Sequence, residues 1–133
     1  MGFYLEQAKE LINEDYISTK YKNTFYLNGK SGAVLIHVRT DEGDYEPHFH
    51  LEIVNNHIKG CIKIAEAAYF NHKDYHKLNF NKSEAEELNK WMKKINRDTG
   101  FSNYKTIIII WNSGKGNNIK LDPDREQPDY SLL

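Results

Sequence analysis

His48 and His50 flank a single phenylalanine in the run Pro47-His48-Phe49-His50-Leu51-Glu52-Ile53. In an extended strand, successive side chains leave on opposite faces, so both imidazoles and the Glu52 carboxylate share one side while Phe49, Leu51 and Ile53 share the other. Two neighbouring segments divide in the same way. In 34–39, Val34, Ile36 and Val38 alternate with Leu35, His37 and Arg39. In 58–64, Ile58, Ile62 and Ile64 share a parity with Gly60 and leave Lys59, Cys61 and Lys63 on the other side. One face of a sheet built from these segments collects His37, Arg39, His48, His50, Glu52, Lys59, Cys61 and Lys63.

Such a face supports three chemistries. His48, His50 and Cys61 offer nitrogen and sulfur to a zinc-like divalent metal, with His37 or Glu52 completing the site or leaving a position for water. Arg39, Lys59, Lys63 and the protonatable histidines instead offer donors to phosphate or carboxylate without a metal, with His37, His48, His50 and Glu52 beside them. Catalysis follows either from metal-activated water on a phosphodiester or from a Cys61 thiolate activated by His50, although the sequence supplies no third member for a cysteine mechanism. Against all three stands an ordinary half-solvated sheet, which shows the same alternation and makes Glu52 with Lys59 a plain cross-strand charge pair. The chain holds six histidines, so some clustering arises without function. His57 falls beside a turn, and His72 and His76 lie in the polar stretch 71–77 that reads as solvated.

The elements that must position this face follow from periodicity. If Asn55-Asn56 forms a turn, Glu52 faces Lys59, His50 faces Cys61 and His48 faces Lys63, and residues directly opposite share a face. That register agrees with the hydrophobic parity, and a slip of one residue would destroy the agreement. An even-length loop is needed between the preceding pair of strands to bring His37 and Arg39 to the same side. Asn28-Gly29 predicts a tight hairpin turn between two earlier strands. Tyr4, Ala8, Leu11 and Ile12 predict an amphipathic helix over 1–16. A second helix is predicted over 83–99, with Ser83 and Glu86 as a capping box, Gly100 as its stop, and Ala85, Leu88, Trp91, Met92 and Ile95 as its buried stripe. The run Tyr104 to Asn112, with four consecutive isoleucines, fits a buried strand by β-branching or a short buried helix capped by Ser102 or Asn103. Residues 119–133 predict an extended tail anchored by Tyr130 and Leu132.

The 133 residues suit one domain with one core. Lysine plus arginine number 18 against 19 acidic residues, which excludes the overall basic field of generic duplex binding and leaves room for a local basic patch. The lone Cys61 excludes an internal disulfide framework. The opening segment is broken by charge every few residues, unlike a signal peptide, and no apolar run reaches membrane-spanning length, so a cytoplasmic protein with no membrane partner is expected.

From residue 47 to about residue 95 the chain resembles a family of small bacterial and phage-borne domains of unknown function. They share a Pro-His-Phe-His strand, here Pro47 to His50, a short leucine-containing link and an amphipathic helix carrying tryptophan, while 111–118 and 128–133 are similar to segments of longer relatives. The resemblance implies a compact α+β domain, found in toxin–antitoxin-like or mobile-element neighbourhoods, and implies a helix over 103–112. The added N-terminal helix and first hairpin depart from that pattern. The expectation is therefore an α+β fold with a curved, barrel-like antiparallel sheet over residues 23–64, one face covered by the two amphipathic helices. The expected function is a non-enzymatic binding protein of bacterial defence or phage counter-defence, its polar face engaging an anionic, nucleotide-like small ligand or a protein partner. The alternative is a metal-dependent phosphodiester hydrolase with His48 and His50 as ligands.

Overall fold

The computed structural model describes residues 24–29, 32–55, 57–72 and 77–133. The expected helix over 1–16 and His76 lie outside them. Four strands, β1 (Thr24–Gly29), β2 (Gly32–His37), β3 (His48–Ile53) and β4 (Ile58–Lys63), form one antiparallel sheet in the order β1-β2-β3-β4. Every neighbour in the sheet is also a neighbour in sequence, so hairpin connections suffice. The fold is α+β as expected, but the sheet is open and does not close into a barrel.

Register follows the parity of the sequence. Glu52 pairs with Lys59, His50 with Cys61 and His48 with Lys63, while across β2 and β3 His37 pairs with His50. The β3–β4 register is the one an Asn55-Asn56 turn predicts, and only the first hairpin turn shifts. Gly29 pairs with Gly32, so Asn28 and Gly29 are strand residues and not the turn. In the β3–β4 turn His57, with φ 56°, takes the left-handed conformation.

Phe25, Val34, Ile36, Phe49, Leu51, Ile53 and Ile62 pack into one core with the helices α1 (Lys82–Lys93) and α2 (Asn103–Ser113). Helix α1 buries Ala85, Leu88, Trp91 and Met92, with the Trp91 ring edge-on to Phe25 at 5.5 Å. Each large side chain buried this way contributes roughly 1.5–3 kcal/mol. The helix is shorter than the 83–99 expected, and its capping box is Asn81–Glu84, two residues earlier than the Ser83–Glu86 pair would place it. Asn81 Oδ1 accepts from Glu84 N–H at 2.8 Å and Glu84 Oε1 accepts from Asn81 N–H at 3.0 Å. At the other end Asn96 Oδ1 accepts from the backbone N–H groups of Asp98 and Thr99, at 3.0 and 3.3 Å, which competes with helical bonding. Ile95 is consequently outside the helix and exposed.

The isoleucine run is helical. Tyr104, Ile107, Ile108 and Trp111 are buried at i, i+3, i+4 and i+7, and Ser102 Oγ caps the helix by accepting from Lys105 N–H at 3.0 Å. Tyr130 anchors the tail as expected, its hydroxyl donating to the Ile64 carbonyl at 2.9 Å, whereas Leu132 is exposed and anchors nothing. No helix among the described residues is long and apolar enough to cross a membrane.

Candidate metal centre

The polar face of β3 and β4 is not solvated. His48, His50 and Cys61 are 0%, 4% and 1% exposed. Parity placed them together, but three segments that strand parity does not register cover them. The first is the β2–β3 connection, which carries Glu42 and Tyr45. The second returns along β4: Ile62 bridges Tyr69, Phe70 N–H donates to the Cys61 carbonyl at 2.9 Å, and the alternation carries Phe70 and His72 over the histidine face. Phe70 stacks on the His48 ring at 4.1 Å between centroids. The third is the end of α2, whose Trp111 ring lies 5.5 Å from that of His48.

Beneath this cover Glu42, His48, His50 and His72 converge, with their candidate ligand atoms all within 4.8 Å of one another. His50 Nε2 is 2.9 Å from Glu42 Oε1, and His72 Nε2 and His48 Nε2 are 3.2 and 3.5 Å from Glu42 Oε2. Four donors about 2.0 Å from a tetrahedral ion would sit about 3.3 Å apart, so the spacing fits a small divalent metal.

The hydrogen bonds around the rings bear on the same point. His48 Nδ1 is 2.7 Å from the Glu46 carbonyl, which can only accept, so that nitrogen carries the proton. Burial lowers the His48 pKa, so the ring is neutral and Nε2 presents a lone pair. That atom is buried, faces a carboxylate oxygen and has no hydrogen-bond partner among the described residues. A lone pair aimed at a carboxylate is what a ligating histidine looks like when its far nitrogen is oriented by a backbone carbonyl. Burial also lowers His50, to about 4. For Glu42 burial acts upward, but other interactions, led by the hydrogen bond from His50 and including that with His72, outweigh it and hold the carboxyl below its ordinary value.

Cys61 is not among the four. Its Sγ is 3.3 Å from His50 Nδ1, on the far side of the ring from Glu42, and burial pushes the thiol up to about 12. It therefore stands as a thiol that orients His50 and is poorly suited to act as a nucleophile. The remaining face residues disperse. Lys63 sits against Glu46 and Glu66 at 3.5 and 3.6 Å, and Glu52 against His57 at 3.1 Å. Lys59 stays paired with Glu52 in register, away from the cluster. Arg39 Nε is 4.0 Å from Glu42 Oε1, and with His37 it lines a separate pocket.

The Glu42 loop is held by residues 114–118. Glu42 N–H donates to Asn117 Oδ1 at 2.8 Å, while Asn117 Nδ2 donates to the carbonyls of Arg39 at 2.8 Å and Trp111 at 3.0 Å. Backbone bonds link Gly43 N–H to Gly116 O, Gly116 N–H to Thr40 O and Asn118 N–H to Gly43 O. A Cβ on Gly114 would lie 2.7 Å from Thr40 Cα, and one on Gly116 2.7 Å from Asp41 Cα, so both glycines are needed for this approach.

Sequence patterning missed Glu42, His72 and Asn117. His72 alone carried a usable signal, since Phe70 and His72 alternate beside β4 as a further strand would. Comparison with protein-family models, curated proteins and solved structures gives no match to this chain.

Proposed function

We propose that the protein is a metal-binding domain in which Glu42, His48, His50 and His72 hold one zinc-like divalent ion. The observation that carries this is the buried Nε2 of His48, a lone pair facing the Glu42 carboxylate with no hydrogen-bond donor between them. A cation at that point satisfies the imidazole and the carboxylate together. The donor set is imidazole and carboxylate without thiolate, which suits zinc, iron, nickel or copper in N/O surroundings better than a sulfur-locked structural site. An ion of this class supplies Lewis acidity when bound.

Placement favours this reading over an anion-binding sheet face. The histidines such a face would use are buried, and Lys63 is matched to carboxylates of its own. The protein's own contribution is orientation and exclusion of water. The Glu46 carbonyl fixes the His48 tautomer, Cys61 faces the second nitrogen of His50, and Phe70 and Trp111 close the apolar side.

The test is elemental analysis and native mass spectrometry of untagged protein purified without chelator. About one transition metal per chain is expected, lost in His48→Ala and in His72→Ala with near-native circular dichroism. Protein that stays metal-free after incubation with zinc, iron, nickel and copper salts would overturn the proposal and leave a purely hydrogen-bonded cluster.

A further inference from the structure

Beside the centre lies a pocket of about 340 Å³ lined by His37, Arg39, Thr40 and Asp41. We infer that this pocket is an anion subsite, taking the carboxylate or phosphate of a small molecule whose other end approaches the ion held by Glu42, His48, His50 and His72. The inference rests on the proposed metal centre and names the ligand class that the centre would meet.

Three observations carry it. The first is adjacency. Arg39 lines the pocket and also lies 4.0 Å from Glu42, and His37 is the cross-strand partner of His50, so pocket and centre are neighbours. The second is chemistry. A guanidinium, an imidazole and a hydroxyl supply donors at the wall, Arg39 is 41% exposed on its side chain, and the Asp41 carboxylate offers one acceptor for a hydroxyl or amine on the same ligand. The third is size and rigidity. The volume of this largely open cleft is enough for a small anion, and the Thr40 carbonyl is pinned by Gly116 N–H at 3.0 Å. With 18 basic against 19 acidic residues in the chain, a small anion suits the pocket better than a polyanion.

The two sites should be coupled. The Glu42 carboxylate offsets part of the Arg39 charge across 4.0 Å, and a divalent ion on Glu42 removes that offset. Anions should therefore bind more tightly to the metal-loaded protein, and by linkage the anion should tighten the metal by the same factor.

The experiment is calorimetric titration of inorganic phosphate and of malonate into zinc-loaded and metal-free protein, with zinc content measured on every sample. The expected result is binding of at least one anion to zinc-loaded protein, weakened about tenfold or more both by zinc removal and by Arg39→Gln, with zinc content in Arg39→Gln unchanged. His37→Asn is a second variant expected to weaken the anion without loss of zinc. The tighter of the two anions identifies the group. Zinc uptake without binding of either anion at millimolar concentration overturns the subsite and leaves the metal centre standing. Anion binding that survives both substitutions also overturns it, since the anion then meets the ion directly or sits elsewhere. Absence of zinc from every sample overturns the metal centre itself and this inference with it.

Discussion

Replacing Asn117 by alanine tests whether the 114–118 segment positions the metal ligand or merely packs against it. The Asn117 side chain is buried, its residue only 1% exposed, and makes three hydrogen bonds, two of which hold the Glu42 loop through Glu42 N–H and the Arg39 carbonyl. The third goes to the Trp111 carbonyl, which also accepts from Gly114 N–H at 3.2 Å and so keeps a partner. Truncation removes the acceptor that Asn117 Oδ1 offers the Glu42 amide and leaves a small void. A buried donor left without a partner costs about 1–3 kcal/mol, so the sum with the lost loop contact is roughly 2–4 kcal/mol. A domain of this size commonly has about 5–15 kcal/mol in hand, so Asn117→Ala should stay folded. Urea unfolding in the presence of chelator measures the stability loss, and competition with a chromophoric chelator measures zinc affinity, expected to fall by about 10- to 100-fold as with other outer-shell partners. Asn117→Asp keeps an acceptor for the Glu42 amide but sets a carboxylate against two carbonyls, so it should unfold more easily than wild type while losing less zinc affinity than the alanine variant. Zinc affinity unchanged in Asn117→Ala, whatever happens to stability, would refute the positioning role.

Acid should destabilise the metal-free protein. Burial holds folded His50 at about 4 against 6.5 unfolded and lowers His48 as well, so between those values the unfolded chain binds more protons and stability falls as pH falls. His50 alone accounts for about 3 kcal/mol across that window, and the depressed Glu42 adds a loss below its own unfolded value. Urea midpoints measured from neutral pH to about pH 4 with chelator present check this, and a midpoint that rises on acidification would contradict it. Cys61→Ser preserves a polar partner 3.3 Å from His50 Nδ1, whereas Cys61→Ala removes it. Zinc affinity should survive the serine change and drop about tenfold in the alanine variant, and equal losses in both would show that the sulfur itself is a ligand.

The sequence made legible what alternation can encode. Three strands with one apolar side each determine which residues share a face, and the pairing of His48 with Lys63 and of His50 with Cys61 follows once the register is set. Alternation says nothing about what covers a face. Here the cover comes from the β2–β3 connection, the return along β4 and the tip of α2, and no parity along β2 to β4 says that they meet this face. Glu42 sits in an acidic loop that composition assigns to water, and His72 in a stretch whose lysines, asparagine and aspartate do the same. Their placement is a tertiary result: Glu42 is held by Asn117, Gly114 and Gly116 some 70 positions further along the chain, and His72 by the segment that returns along β4.

On the proposed reading, that cover also accounts for why the cluster would take a cation. Glu42 is 7% exposed and its two oxygens face three imidazoles, of which His48 and His50 are held neutral by burial. His50 offers the carboxylate one hydrogen bond from Nε2, but His48 directs its single N–H, on Nδ1, at the Glu46 carbonyl and offers only a lone pair from Nε2. Protonating His48 would satisfy the pair at the cost of charging a fully buried ring, which its depressed pKa opposes. A divalent ion satisfies both at once, turning a mismatched contact into two ligand bonds. The carboxylate then no longer offsets Arg39, so occupation of the centre and the affinity of the neighbouring pocket for anions become one linked equilibrium.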